Sequence, residues 1–469
     1  MRRAILASTL LLGGGLMATP LAIAATPSPT RQPLVQDGRV VEPAQGVWRN
    51  DDYGWILRID GDGITRWQDT PAGCYATTQD GPTLMAQVEY RYVTVLDDGR
   101  ARFEYLPSDG HTVFERLPSL PAHCGAKDLS GPVAVFDTFV AIFSRHYAFF
   151  ERRGIDWPAA VAAARTGVHD GMGQAELWDV LAGLIRPLGD SHTKLIGSVD
   201  GEPRRVQAGL GATLPTVRGG MGEPDWLRAL VAGTLSRLDG GGHHVGNERV
   251  VWGSLDGDIG YLQVFTMGGF TTAETPGTPE WAAAEIAAIH ALMDEILAAF
   301  KGHRAVILDL SNNRGGYDAV TRAIVSHFID QPQDLYTVRN HWDGAPAATY
   351  RVQPWSGQRF GGPVYVLTSD VTVSGGEITT LMLRQLPQVV HVGGTTRGSF
   401  STPLAKPLPN GWYVELSNEI FADMEGQVYE GRGLSPDWDL QVFAPEDPVG
   451  SHARALDAII GRAREGEPR

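Results

Sequence analysis

From Gly260 onward, short apolar runs of strand length alternate with stretches of helical period, and this alternation restricts the fold more than any other feature of the chain. Residues 261–265 read as a strand, 279–300 as a long helix with an alanine-rich face, and 305–310 as a buried strand running into Ser311-Asn312-Asn313-Arg314-Gly315-Gly316. A helix near 320–328 follows, then strands at 364–367, 389–392 and 412–416. Strands joined by crossover helices require a largely parallel or mixed sheet with helices on its faces, and functional groups then collect in loops at strand ends.

The rest of the chain reads as smaller units. Arg2 and Arg3, an apolar run over 4–17 and the small-residue site Ala22-Ile23-Ala24-Ala25 mark residues 1–25 as a secretory signal peptide. No cysteine stands directly after that site and no later apolar run reaches membrane-spanning length, so a secreted or periplasmic protein without a lipid anchor is expected. Residues 26–46 are rich in Pro, Gln and Ser/Thr and read as a flexible leader. Residues 47–126 carry two hairpin signals, around Gly61-Asp62-Gly63 and Asp97-Asp98-Gly99, and read as a small β domain. It holds the chain's two cysteines, Cys74 and Cys124, which an oxidising compartment would join.

Residues 127–200 show helical stripes, Phe136/Phe139/Val140/Phe143/Tyr147 and Leu177/Leu181/Leu184/Leu188, and read as a helical subdomain. It ends in Leu188-Gly189-Asp190-Ser191-His192-Thr193. Residues 201–445 form the α/β core and 446–469 a C-terminal helix and tail. The glycine-rich segment 201–246 shows no period. Its His243-His244 pair lacks a carboxylate at helical spacing, so it reads as a solvated turn rather than a metal site. A formal charge of −15 without a basic stretch excludes nucleic acid and anionic membranes as partners and leaves peptides, proteins or small molecules.

Within the core, Ser374 stands where a strand gives way to a helix, followed by Gly375 and Gly376. Unpaired N–H groups at a helix start are partly positive, and glycines let a carbonyl approach the main chain, so a nucleophile and an oxyanion could both be served there. A capping turn has the same composition. A serine hydroxyl needs a base, and His192 in its polar turn is a candidate. Gly315 and Gly316 after a buried strand offer a second oxyanion donor, and Glu430, in Tyr429-Glu430-Gly431-Arg432-Gly433-Leu434-Ser435-Pro436-Asp437, a carboxylate able to orient the base. Each of these, taken singly, has an ordinary structural reading.

Together they resemble the tail-specific protease family, the carboxyl-terminal processing and tricorn-core peptidases of S41 type. Three motifs of that family, D-L-R-x-N-x-G-G, S-[AG]-[GAS]-E and G-[VL]-x-P-D, align with residues 309–316, 374–377 and 433–437, and Leu188–Thr193 fits a fourth. The likeness spans residues 136–443. It implies a crotonase-like (ClpP/crotonase) α/β core with a helical subdomain, a peptide or protein substrate, and no metal or organic cofactor. The processing proteases carry a lysine base in a Gly-Lys-Gly stretch, which here reads Gly394-Thr395-Thr396-Arg397-Gly398. Lys406 lies nearby but outside the motif. The chain therefore resembles the tricorn-like branch, whose tetrad falls on Ser374, His192, Ser191 and Glu430, with Gly375 and Gly315 or Gly316 as oxyanion donors. Ser311 replaces the family's arginine, and no peptide-binding PDZ module is recognisable.

The expectation is a serine peptidase working through an acyl-enzyme on Ser374 with His192 as base. The rival reading is a non-catalytic ligand- or peptide-binding protein on the same fold. A third reading pairs Ser374 with Lys406.

Overall fold

A computed structural model describes residues 30–61, 63–77, 90–105, 111–272, 278–341 and 347–466. The expected signal peptide lies outside the described residues.

The N-terminal unit is an eight-stranded antiparallel sheet. Trp55–Asp60 pairs with Gly63–Thr70, and Tyr92–Val95 with Arg100–Glu104, at the two hairpin signals. Trp48, Leu57, Ile64, Phe103 and Phe114 fill its core, with Phe103 and Phe114 in edge-to-face contact at 5.2 Å. Part of the segment read as a flexible leader belongs to this sheet: Gln32–Pro33 pairs with Tyr92–Val95, and Leu34 is fully buried. The polar composition of 26–46 hides the few apolar residues, Leu34, Val40 and Ala44, that anchor it. Cys74 and Cys124 form a disulfide.

Next come α1 (Pro132–His146), α2 (Trp157–Arg165) and α3 (Gln174–Ile185). Asp156 caps α2 by accepting from the Ala159 N–H at 3.0 Å. The stripes on α1 and α3 do not pack on helices alone. Phe136, Phe143, Leu177 and Leu181 close over Leu195, Val414 and Leu416 of a four-stranded antiparallel sheet. Its order is Glu202–Gln207, Lys194–Val199, Tyr413–Ser417, Pro403–Pro407. Two stretches of chain some 200 residues apart are thus joined by Lys194↔Glu415 register, and the His192 motif enters directly into the first of them. At Gly197 the Trp412 ring lies where a Cβ would stand, 2.3 Å from its Cδ1, and the indole donates to Ser198 O at 2.8 Å.

The glycine-rich segment contains α4 (Thr213–Gly219) and α5 (Glu223–Arg237), started at Gly222 with Pro224 in the first turn. Repeated glycines and a weak apolar stripe conceal these helices in the sequence. His243–Val245 then opens a seven-stranded sheet continued by Val250–Leu255, Ile259–Val264, Ala305–Asp309, Val364–Thr368, Val389–Gly393 and Trp438–Asp439. The first three strands are antiparallel and the rest parallel. The crossovers are α6 (Pro279–Ala299), α7 (Asp318–Ser326) and α8 (Gly375–Leu383). They cover one face, with Met293, Ile324 and Leu381 against Val306, Leu308 and Val366. On the other face α4, α5 and α9 (Pro448–Glu465) set Val217, Trp226 and Ile459 against Tyr261, Ile307 and Leu367. Covered on both faces, the strands 305–309 and 364–368 are buried at every residue, so their C-terminal ends are fixed supports for loops.

The mixed α/β class expected from the alternation is the observed one. Among the described residues no helix is long and apolar enough to cross a membrane. The disulfide closes a loop of 50 residues, and the loop-entropy account makes its loss cost about 4 kcal/mol. Cys124→Ser is therefore expected to lower the denaturant midpoint of the N-terminal sheet while leaving that of the α/β core in place. The check is urea unfolding followed by Trp fluorescence and by far-UV CD.

Candidate active site

Ser374 caps α8 with φ 57° and ψ −121°, a conformation a non-glycine residue holds only when its surroundings impose it. Its N–H donates to Ser399 O at 3.0 Å and to Glu377 Oε2 at 3.3 Å. Glu377 is fully buried and also accepts from Thr396 Oγ1 and Gly398 N–H at 2.6 Å and from Ser399 N–H at 2.8 Å. Burial raises its pKa and the hydrogen bonds oppose that rise. The carboxyl that follows the two glycines therefore clamps loop 396–399 to the start of α8.

The turn after strand Ala305–Asp309 lies against Ser374. A Cβ on Gly315 would stand 2.6 Å from Ser374 Cβ, and its φ of 74° also requires glycine. Asn313 shapes this turn: Nδ2 donates to Val264 O at 2.8 Å, and Oδ1 accepts from Gly315 N–H at 2.9 Å. The Gly315 N–H is thus committed. Neither Gly316 N–H nor Gly375 N–H has a hydrogen-bond acceptor among the described residues, and the Gly316 nitrogen is 3.3 Å from the position of a Cβ on Gly375. Ser311, at the position of the family's arginine, is buried and donates its N–H to Asp309 Oδ1 at 2.8 Å. Asp309 Oδ2 accepts from Tyr261 OH at 2.7 Å and pairs with His452 Nε2 of α9 at 2.6 Å.

His192 is buried beside the Ser401 main chain, and its Nδ1 has no hydrogen-bond partner among the described residues. Burial holds its pKa down to about 4 against the opposing pull of the Asp190 carboxylate, so the ring is neutral at pH 7. Asp190 Oδ1 accepts from His192 N–H at 2.9 Å, and its Oδ2 accepts from Thr193 Oγ1 at 3.0 Å and Tyr147 OH at 3.1 Å. Ser191 Oγ donates to Ser399 Oγ at 2.9 Å. Ser399 thereby touches both motifs, by its hydroxyl and by its carbonyl. No hydrogen bond joins Ser374 to His192.

Glu430 does not touch His192. Its Oε2 accepts from Phe400 N–H at 2.7 Å and Ser401 N–H at 3.1 Å, fixing the main chain beside the imidazole. Its Oε1 meets Arg153 Nη2 at 3.2 Å. Burial and the neighbouring Asp190 push Glu430 up to about 8. Burial acts on Asp190 too, but the charges of Arg153 and His192 outweigh it and hold Asp190 below the usual carboxylate range. Arg153 also donates to Gly189 O at 2.8 Å and Gly398 O at 3.3 Å, and lies 3.8 Å from Asp190. Nothing local in the sequence marks it; only its position between four distant groups does.

Lys406 is engaged with the N-terminal sheet. Its Nζ donates to Tyr53 O and lies 3.5 Å over the Trp55 ring, both in the N-terminal sheet. His243 stacks on Trp252 at 4.2 Å, and His244 bonds to Glu248 O. Among the described residues, the one trio of potential metal ligands is Cys74, His123 and Cys124, whose sulfurs are spent in the disulfide.

Residues 258–440 match the model of peptidase family S41. Among solved structures, a candidate peptidase from Parabacteroides merdae is 24% identical, covering 71% of this chain and 97% of that one with a TM-score of 0.55. Mature CPAF is 13% identical, covering 72% of this chain and 98% of that one with a TM-score of 0.52. At such identities the likeness is one of fold, and it extends well outside the matched core.

Arg153 is the cation on which two buried carboxyls depend. Arg153→Met is expected to cost about 3–5 kcal/mol, the range for removing one partner of a buried pair. Because the Glu430 pKa is raised, its contribution to stability is full below the ordinary carboxylate range and lost as pH rises through about 8. The variant's deficit should therefore be larger at pH 9 than at pH 6. Urea unfolding at both values checks this.

Proposed function

We propose that the chain, whose residues 258–440 match the model of peptidase family S41, is a serine peptidase that cleaves peptide bonds through an acyl-enzyme on Ser374. The core is crotonase-like. A secreted or periplasmic setting follows from residues 1–25 as read in the sequence, and the Cys74–Cys124 disulfide fits an oxidising compartment. The observation that carries the reading is the pair of N–H groups on Gly316 and Gly375 beside a serine held at positive φ.

In this reading Ser374 Oγ attacks the scissile carbonyl while His192 takes its proton. The oxygen of the tetrahedral intermediate is received by Gly375 and Gly316 N–H, the Gly315 N–H being engaged with Asn313. Collapse expels the amine with the proton from His192, and water repeats the sequence to free the acid. The Asp190 carboxylate supports the imidazolium. Ser191 and Glu430 act at one remove, through Ser399 and through the Phe400–Ser401 main chain. No metal or organic cofactor enters these steps, and the substrate is a peptide or protein.

The rival reading, a binding protein on the same fold, is favoured by the missing Ser374–His192 hydrogen bond. Catalytic hydrogen bonds are often loose without substrate and tighten in the complex, so this geometry leaves the base competent. A fluorophosphonate probe and a peptide library separate the two. Wild type should be labelled and should cleave. Ser374→Ala should lose labelling, and Ser374→Ala and His192→Ala should each lower kcat by about 10⁴-fold or more. Lys406→Ala should retain labelling. Equal labelling of wild type and Ser374→Ala would overturn the assignment. Since His192 is held near 4, the acid limb of kcat/KM should fall through about pH 4 rather than near the ordinary histidine value of 6.5.

A further inference from the structure

A cavity of about 430 Å³ lies between the N-terminal sheet and the peptidase core. Tyr53, Trp55, Tyr90 and Tyr105 wall it from the sheet, and Pro403 and Leu404 from the core. The core side belongs to Pro403–Pro407, an edge strand of the four-stranded sheet, whose outer side is spanned from the N-terminal sheet by Tyr75 OH donating to Pro407 O at 2.7 Å and by Tyr53 O accepting from Lys406. The gap is left at the strand's beginning, at Pro403 and Leu404.

That beginning is tied to the catalytic loop. Ser399 O accepts from Ser374 N–H, Glu430 holds the next two N–H groups, and the Ser401 main chain faces His192. Thr402, the next residue, already lines the cavity. Ser401 Oγ accepts from the N–H of Glu419, another lining residue, at 3.0 Å. A peptide lying across Ser374 and His192 would therefore meet this cavity within a few residues of its scissile bond.

The walls choose what enters. The Trp55 ring already carries two cations, Lys406 Nζ at 3.5 Å and the Arg66 guanidinium at 4.1 Å, so a third would be repelled. An anion would share the space with Glu419, whose carboxyl burial has pushed up to about 7, the mark of surroundings hostile to negative charge. What remains is a large neutral side chain, and the Tyr and Trp walls suit an aromatic ring best.

We propose that this cavity is a substrate side-chain pocket for a bulky neutral residue, aromatic by preference, and that the N-terminal β domain is thereby the specificity element of the peptidase. The proposal rests on the serine peptidase reading for its substrate but is tested by binding. The full-length Ser374→Ala protein is titrated with N-acetylated, C-amidated hexapeptides in which one position at a time is Phe, Ala, Lys or Glu. One position should show Phe bound at least about tenfold tighter than Ala, Lys or Glu. Leu404→Trp, which fills the pocket, and Tyr105→Ala, which removes a wall, should each bring the Phe/Ala ratio at that position toward one; two variants guard against one that does not fold. A preference for Lys or Glu, no preference at any position, or a Phe/Ala ratio unchanged in both folded variants overturns the proposal. Hydrolysis by wild type is measured alongside, and binding preference without hydrolysis overturns the peptidase reading alone.

Discussion

The candidate site depends on a carboxyl that has no place in the proposed chemistry. Glu377 has no exposed surface, and a buried carboxyl without hydrogen bonds would cost several kcal/mol. Four donors offset that cost: the N–H groups of Ser374, Gly398 and Ser399 and the Thr396 hydroxyl. Those donors lie on two segments, the start of α8 and the loop after strand Val389–Gly393, which are also joined by the Ser374 N–H on Ser399 O and the Arg397 N–H on Thr372 O. The unusual dihedrals of Ser374 persist because its N–H is fixed from both sides.

From that clamp a chain of hydrogen-bonded buried polar groups runs outward. Loop 396–401 is held by Glu377 at one end and Glu430 at the other; Glu430 meets Arg153, and Arg153 reaches the Gly189-Asp190 turn that carries His192. Such networks are rigid when every member is paired and fragile when one is removed. Through this arrangement a unit more than 170 residues before Ser374 sets the position of His192, the proposed base.

The sequence carried the architecture of the core well, because crossover helices and doubly covered strands leave strong periodic patterns, as at Ala305–Asp309 and Pro279–Ala299. It singled out Ser374, His192 and the glycine turns as candidates through local motifs. It did not carry the hydrogen-bond partners. That Gly315 spends its N–H on Asn313, leaving Gly316, follows from one side chain's rotamer. That Asp190 rather than Glu430 lies against His192 follows from the packing of α1 and α3 on a sheet built from two stretches some 200 residues apart. Arg153 is a lone arginine in a loop, invisible until four acceptors converge on it. Helices α4 and α5 were hidden for the opposite reason, a local composition of glycines and polar residues that tertiary packing of Trp226 and Leu230 overrides.

Asp309 ends the strand that leads into the glycine turn, and its partner His452 stands on the last helix, 143 residues further along the chain. Synthesis runs from the N-terminus, so Ser374, His192 and both glycine turns are made before this pairing is possible. Until α9 docks, a carboxylate with no exposed surface in the finished protein lacks its histidine, and one face of the sheet lacks Leu456, Ile459 and Ile460. A chain cut before α9 thus holds every proposed catalytic residue without the buttress beneath them, so a helix that carries none of those residues completes the support under the glycine turn.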